Sequence, residues 1–149
     1  MRVLGIEVSG SDSSLVILDG TAKACTIRLL SPSKLRFPAA GDEIDRLIAL
    51  KKQIHEILQL ESVERVGVIR ADQNSSPIRA KVECLIQLAS KEASVPCDLV
   101  AAQTVAAADK RKVGLVAGPE IEQKLRQVNP AYLRKAAHCA WSVLNAREQ

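Results

Sequence analysis

The chain begins with short apolar runs broken by turn-forming residues. Residues 2 to 8, Arg-Val-Leu-Gly-Ile-Glu-Val, are rich in strand-forming types and lead into a Gly/Ser/Asp turn at Ser9 to Ser13. A second run, Ser14 to Leu18, closes on Asp19-Gly20, a pair that predicts a tight hairpin turn. Ala24 to Leu30 reads as a third strand, with Cys25, Ile27 and Leu29 on one face and Thr26, Arg28 and Leu30 on the other. Three strands joined by short turns form an antiparallel meander.

The period then changes. Ser31 to Gly41, with Pro32, Pro38 and Gly41, reads as a loop. From Asp42 onward, Ile44, Leu47, Ile48, Ile54, Ile57 and Leu58 recur at helical spacing, and Asp42, Glu43 and Asp45 fall in the first turn, where the helix dipole favours acids. Arg65 to Ile69 reads as a buried strand. Pro77 to Ala93 is a second helix with Ile78, Val82, Leu85, Ile86 and Ala89 inward, and Asp98 to Ala101 is a fifth strand. Gln103 to Lys112 reads as a helix and Val113 to Gly118 as a linker. Pro119 to Val128 and Pro130 to Ala146 are helices that each open on a proline, which is tolerated in the first turn. A meander followed by alternating helix and strand predicts one α/β domain over residues 1 to 149. Its mixed five-stranded sheet is flanked by helices, and its later strands are added in parallel through right-handed crossovers.

Composition narrows the function classes. With 47% hydrophobic and 26% charged residues the 149-residue chain is ordinary for a globular domain, which argues against disorder and low-complexity polymers. Phe37, Tyr132 and Trp141 are its only aromatic residues, so a broad base-stacking platform is not expected. Of the net charge of +4, all lies in the last third: residues 1 to 100 balance 13 basic against 13 acidic side chains, and residues 101 to 149 hold 8 against 4. This bias suits a phosphate backbone as well as a merely solvated surface. Cys25, Cys84, Cys97 and Cys139 show no paired spacing of the kind that builds zinc or redox sites, and a reduced, cytoplasmic protein is the expectation. Met1 leads straight into the alternating strand pattern, so neither a secretory leader nor a membrane span is expected.

The element order, together with the stretch from Arg2-Val-Leu-Gly-Ile-Glu-Val-Ser-Gly10 through Val16-Ile-Leu-Asp-Gly20, resembles the ribonuclease H-like fold and, within it, the RuvC-like branch of Holliday-junction resolvases. Members of that branch open on a strand of the type Leu-Gly-Ile-Asp. The segment Lys81-Val-Glu-Cys-Leu-Ile-Gln-Leu88 is further similar to a family of small bacterial RuvC-like proteins.

The resemblance implies an active site of acids around two divalent ions, one activating water and the other stabilising the leaving oxygen. Here its expected residues are mostly replaced. Glu7 stands where the first carboxylate belongs and is the one candidate metal ligand. Arg70 stands at the second position, with Asp72 and Glu83 as relocated substitutes, although Asp72 also suits a turn and Glu83 a solvated helix face. On the last helix Lys135 and His138 take the places of the final acids, so two or three of four carboxylates are missing. Two cations beside one or two anions do not suit a magnesium pair; Glu7, Arg70, Lys135 and His138 suit an anion and equally an inert, salt-bridged remnant of an ancestral site.

Three functions follow. The first is a nucleic-acid-associated protein with a degenerate nuclease site, DNA ahead of RNA, using Arg70, Lys110, Arg111, Lys112, Arg134 and Lys135 for phosphate contacts. The second is an atypical nuclease whose catalytic set is Glu7, Asp72, Glu83 and His138, with magnesium or manganese as cofactor. The third is a non-catalytic protein-interaction module. A homodimer is expected from the resemblance and from the apolar face of the second helix.

Overall fold

The computed structural model describes Met1–Gln149. Its sheet has five strands, β1 (Arg2–Ser9), β2 (Asp12–Gly20), β3 (Cys25–Leu35), β4 (Arg65–Ile69) and β5 (Cys97–Val100), in the order β3-β2-β1-β4-β5. β1 pairs antiparallel with β2, and β2 with β3; β4 joins β1 in parallel, and β5 joins β4 in parallel. The mixed sheet predicted from the sequence is therefore the one observed, with β1 at its centre.

Alternation along β1 divides the core. Leu4, Ile6 and Val8 face α1 (Glu43–Leu60) and α2 (Pro77–Glu92), joining Leu15, Ile17, Val66 and Val68 in one apolar cluster. Val3 lies in the second cluster, with Val16, Leu18 and Ile69, under α6 (Arg134–Arg147). Asp42 caps α1 by accepting from the Asp45 amide at 2.9 Å, and Ser76 caps α2 by accepting from the Arg79 amide at 3.3 Å.

Several expectations need correction. β3 continues to Leu35 rather than yielding to a loop at Ser31, because a register shift opposite Ser14–Val16 absorbs the intervening residues and leaves Pro32 without a ladder bond to make. The turn between β2 and β3 spans Thr21–Ala24, while Asp19 pairs with Thr26 in the ladder. The turn between β1 and β2 is just Gly10-Ser11, closed by the Ser9–Asp12 pair, with Gly10 at φ 63°. On α1 the inward stripe is Leu50, Ile54 and Leu58, and Ile44 and Ile48 are exposed. At about 100° per residue Ile48 lies roughly 120° round the helix from the centre of that stripe.

Val113–Gly118 is no linker. α3 (Ala102–Ala107) runs through a π-helical turn, Ala108–Lys112, into α4 (Val113–Ala117), which ends at Gly118; α5 (Pro119–Arg126) follows. A 3₁₀ turn, Ala131–Leu133, leads into α6. Every residue of α6 from Ala136 to Asn145 is buried, not one face alone, since α6 lies on the sheet and is covered by α3 and α5. No helix is long and apolar enough to cross a membrane.

Candidate functional site

Two glycines set the position of α6. A Cβ at Gly5 of β1 would lie 2.0 Å from the carbonyl oxygen of Ala136 and 2.9 Å from Ala140, and one at Gly67 of β4 would lie 2.6 Å from Val143. The absent side chains, facing the small residues of Lys135-Ala-Ala-His-Cys-Ala140, let the helix backbone rest on the two middle strands. The N-terminal turns of α6 thereby come to the end of β1, where Glu7, two residues beyond Gly5, faces the same side.

A cleft of about 690 Å³ opens there, with Glu7, Gly10, Arg79, Asp109, Arg134, Lys135 and His138 among its walls. Glu7 is mostly buried, and its Oε2 faces the Lys135 ammonium at 3.7 Å. Lys135 is largely exposed, so the pair itself contributes no more than about 1 kcal/mol. Its effect is on what else Glu7 can bind, because a divalent ion at that carboxylate would sit beside an ammonium.

His138 is 1% exposed. Its Nδ1 lies 2.7 Å from the Arg134 carbonyl, an acceptor, so Nδ1 carries a hydrogen and donates it. His138 lines the cleft, and its Nε2 is buried and without a hydrogen-bond partner, with Asp109 Oδ1 at 3.6 Å just out of range. The π-helical turn is what brings Asp109 to this point. Arg126 donates to the Asp109 and Lys110 carbonyls, both at 3.0 Å, and so ties α5 to the irregular turn.

Arg79, in the first turn of α2, borders the cleft too. Its guanidinium makes no ion pair, and its buried Nε has no partner. A second concavity of about 550 Å³ adjoins the cleft and shares Asp109 and Arg134 with it; Lys110, Arg111 and Arg126 complete its lining. Lys112 is exposed outside both hollows.

The remaining candidates lie elsewhere. Arg70 borders a separate hollow with Asp98, Thr104 and Arg147, and the β4 residue that reaches the cleft is Ile69. Asp72 is a turn former: its carboxylate accepts from the Asn74 amide at 2.8 Å and from the Ser75 hydroxyl at 3.3 Å. Glu83 is buried, not solvated, and its carboxylate accepts from the Ala71 amide at 2.6 Å, which anchors the segment leaving β4. Glu7 and His138 therefore share the cleft, whereas Asp72 and Glu83 are not among its walls. Cysteine offers no nucleophile in this core, since burial pushes Cys139 up to about 12 and Cys97 up to about 11, leaving both as thiols at neutral pH.

A magnesium pair requires several hard oxygen donors around two adjacent positions. The residues present do not fit it. Glu7 is engaged by an ammonium, and no three acidic, histidine or cysteine side chains come close enough together to hold one ion.

Solved structures resemble this arrangement over almost its full length. RuvC of Thermus thermophilus superposes with a TM-score of 0.74 at 21% identity, covering 99% of this chain and 96% of its own. The chain has a RuvC-like fold. The T. thermophilus RuvC in complex with a Holliday junction substrate gives 0.75 at 17% identity over the same shares of the two chains. At this identity the likeness establishes the ribonuclease H-like fold in its RuvC form, and the chemistry has to be read from this chain's own side chains. No protein-family model and no curated protein sequence matches the chain.

Two cleft residues of this RuvC-like domain escaped the reading of the sequence. Arg79 looks like an ordinary solvated helix residue next to Lys81. Asp109 precedes a basic run that reads as the end of a helix, and only the extra residue of the π turn aims it at His138.

Proposed function

We propose that this RuvC-like domain binds nucleic acid along its cleft and the basic concavity beside it, and does not carry out two-metal cleavage. The Lys135 ammonium against Glu7 carries the reading. It places a cation at the position where the resemblance expects an acid, and it turns a metal-binding carboxylate into half of an ion pair. Lys110, Arg111, Arg134 and Lys135 give the bordering surface the charge that phosphates require. The structural neighbour bound to a Holliday junction makes branched DNA the first substrate to try.

Fluorescence anisotropy of labelled four-way junction, duplex DNA and RNA across a salt series tests this. Three to five phosphate contacts give a slope of log K on log salt of about −2.7 to −4.5, and Arg111→Ala lowers its magnitude by about 1. Affinity independent of salt, or absent, would favour the interaction-module reading instead. The single-ion nuclease reading lacks its geometry, because Asp72 and Glu83 serve the turn after β4. A homodimer remains part of the proposal. The α2 face that motivated it is spent inside the chain, where Val82, Ile86 and Ala89 are buried, leaving Ile44 and Ile48 of α1 and Leu88 of α2 exposed for a partner. Sedimentation equilibrium reads the outcome.

A further inference from the structure

The charges of the cleft do not cancel locally. Glu7 is matched by Lys135 at 3.7 Å, and Asp109 lies 3.6 Å from His138 Nε2, whereas Arg79 has no anionic partner at all. Two buried nitrogens in its walls, Arg79 Nε from α2 and His138 Nε2 from α6, make no hydrogen bond. Buried polar atoms are almost always satisfied in folded proteins, so two residues that line one hollow and each hold such an atom point to a ligand that supplies the partners. The His138 ring is fully buried and held by its Nδ1–H bond to Arg134, so Nε2 cannot turn away to find another group.

The ligand chemistry follows from the donors. A guanidinium is a planar fork that matches the oxygens of a phosphate, and the Nε–H of Arg79 is one tine of it. Nε2 of a neutral imidazole with its hydrogen on Nδ1 is an acceptor, so it is satisfied by a phosphate that still carries one proton and donates P–O–H. The protonated ring is satisfied equally by donating to P–O⁻. In either form one proton lies between ring and phosphate, and no bond other than that hydrogen bond is made or broken. Glu7 and Asp109, the carboxylates facing the cleft, also favour a group that is protonated when bound over one that stays fully ionised. Inorganic phosphate still carries a proton at neutral pH, and a phosphate monoester, with a second pKa of about 6, takes one up from solvent at small cost, whereas sulfate carries none and takes none up. The other cations bordering the cleft, Arg134 and Lys135, offset those carboxylates.

We propose that the cleft is a metal-independent site for a single phosphate group, with Arg79 and His138 as its anchoring residues; at about 690 Å³ it leaves room for whatever is esterified to that phosphate. The inference rests on the nucleic-acid reading only for the source of the phosphate, either the terminus of a strand or a small phosphorylated metabolite. It assigns Arg79 a binding role where the nucleic-acid reading needs only the basic surface.

Calorimetric titration of the full chain in excess chelator tests the site, with inorganic phosphate, with sulfate, and with a 5′-phosphorylated dinucleotide and its unphosphorylated twin. One saturable phosphate site is expected, with sulfate at least tenfold weaker and Arg79→Gln at least tenfold weaker for phosphate. Arg79→Lys should recover only part of the loss. Thermal unfolding of both variants, followed by the fluorescence of Trp141, shows that they fold. Phosphorylated dinucleotide binding tenfold or more tighter than inorganic phosphate would name a strand terminus as the source, and equal affinity would name a small phosphorylated molecule. No saturable phosphate binding, or binding unchanged in a folded Arg79→Gln, would overturn the site. If that happened while duplex DNA still bound with a steep salt dependence, this inference alone would fall; phosphate binding without any nucleic-acid binding would keep the site and remove the nucleic-acid reading.

Discussion

At the scale of single residues, the site depends on an atom that is not there. Gly5 lets the Ala136 carbonyl approach β1, and so lets Lys135 reach Glu7 and His138 line the same cleft. Because the obstacle to a Cβ at Gly5 is backbone at 2.0 Å, Gly5→Ala has to move the whole of α6, and we expect a loss of about 3 kcal/mol, the upper end of ordinary overpacking. At Gly67 the nearest atom is a γ-methyl of the buried Val143 at 2.6 Å, a side chain rather than backbone, so Gly67→Ala should cost less, about 1–2 kcal/mol. Urea denaturation read by Trp141, buried with its indole N–H donating to the Ala22 carbonyl at 2.8 Å, ranks the two variants. The reverse order would mean that α6 is free to shift. Sequence reading located Glu7, Lys135 and His138 through the resemblance and the spacing of the last helix. It had no signal for the Arg79 side chain, whose exposure depends on which way α2 rolls against the sheet.

At the scale of elements, β5 is an edge strand of four residues, held by ion pairs as well as by its ladder. Arg65 of β4 donates to Asp98 at 2.6 and 3.1 Å, and Arg147 of α6 donates to the same carboxylate at 3.1 Å. Burial alone would raise the Asp98 carboxyl, but the hydrogen bonds and charge of Arg65, with Arg147 behind them, hold it below the usual carboxylate range. A carboxyl depressed in the folded state stabilises fully above its unfolded value of about 3.9, and that contribution is lost as the pH falls through the folded value. Asp98→Asn should therefore lose about 1–2 kcal/mol at neutral pH, discounted for partial exposure, and should show a flatter decline in stability below about pH 4 than the parent. An unchanged acid limb in thermal melts across that range would contradict this. Elements also show what periodicity can and cannot reveal. Helix and strand order was legible because apolar spacing is local. The π turn at Ala108–Lys112 was not, because one inserted residue leaves the composition of a helix untouched and shows only in how Asp109 and Arg126 meet their neighbours.

At the scale of the molecule, the fold is RuvC-like, while Glu7, Lys135 and His138 give the cleft a charge pattern other than the one the resemblance implies. Strand order and the two-sided core follow from alternation in β1, with Leu4, Ile6 and Val8 on one side and Val3, Gly5 and Glu7 on the other, and this much is plain in the sequence. What could not be read there was convergence. Asp72 and Glu83 looked available as substitute ligands, but each has a structural partner after β4, and Arg70 lies on another surface. The proposed function is that the cleft binds nucleic acid and does not cut it through paired metals. The most direct measurement is incubation of the full chain with a labelled four-way junction in magnesium and, separately, in manganese, with binding and strand scission followed in the same samples. Bound but intact junction is the predicted result; metal-dependent scission abolished by Glu7→Gln would contradict it.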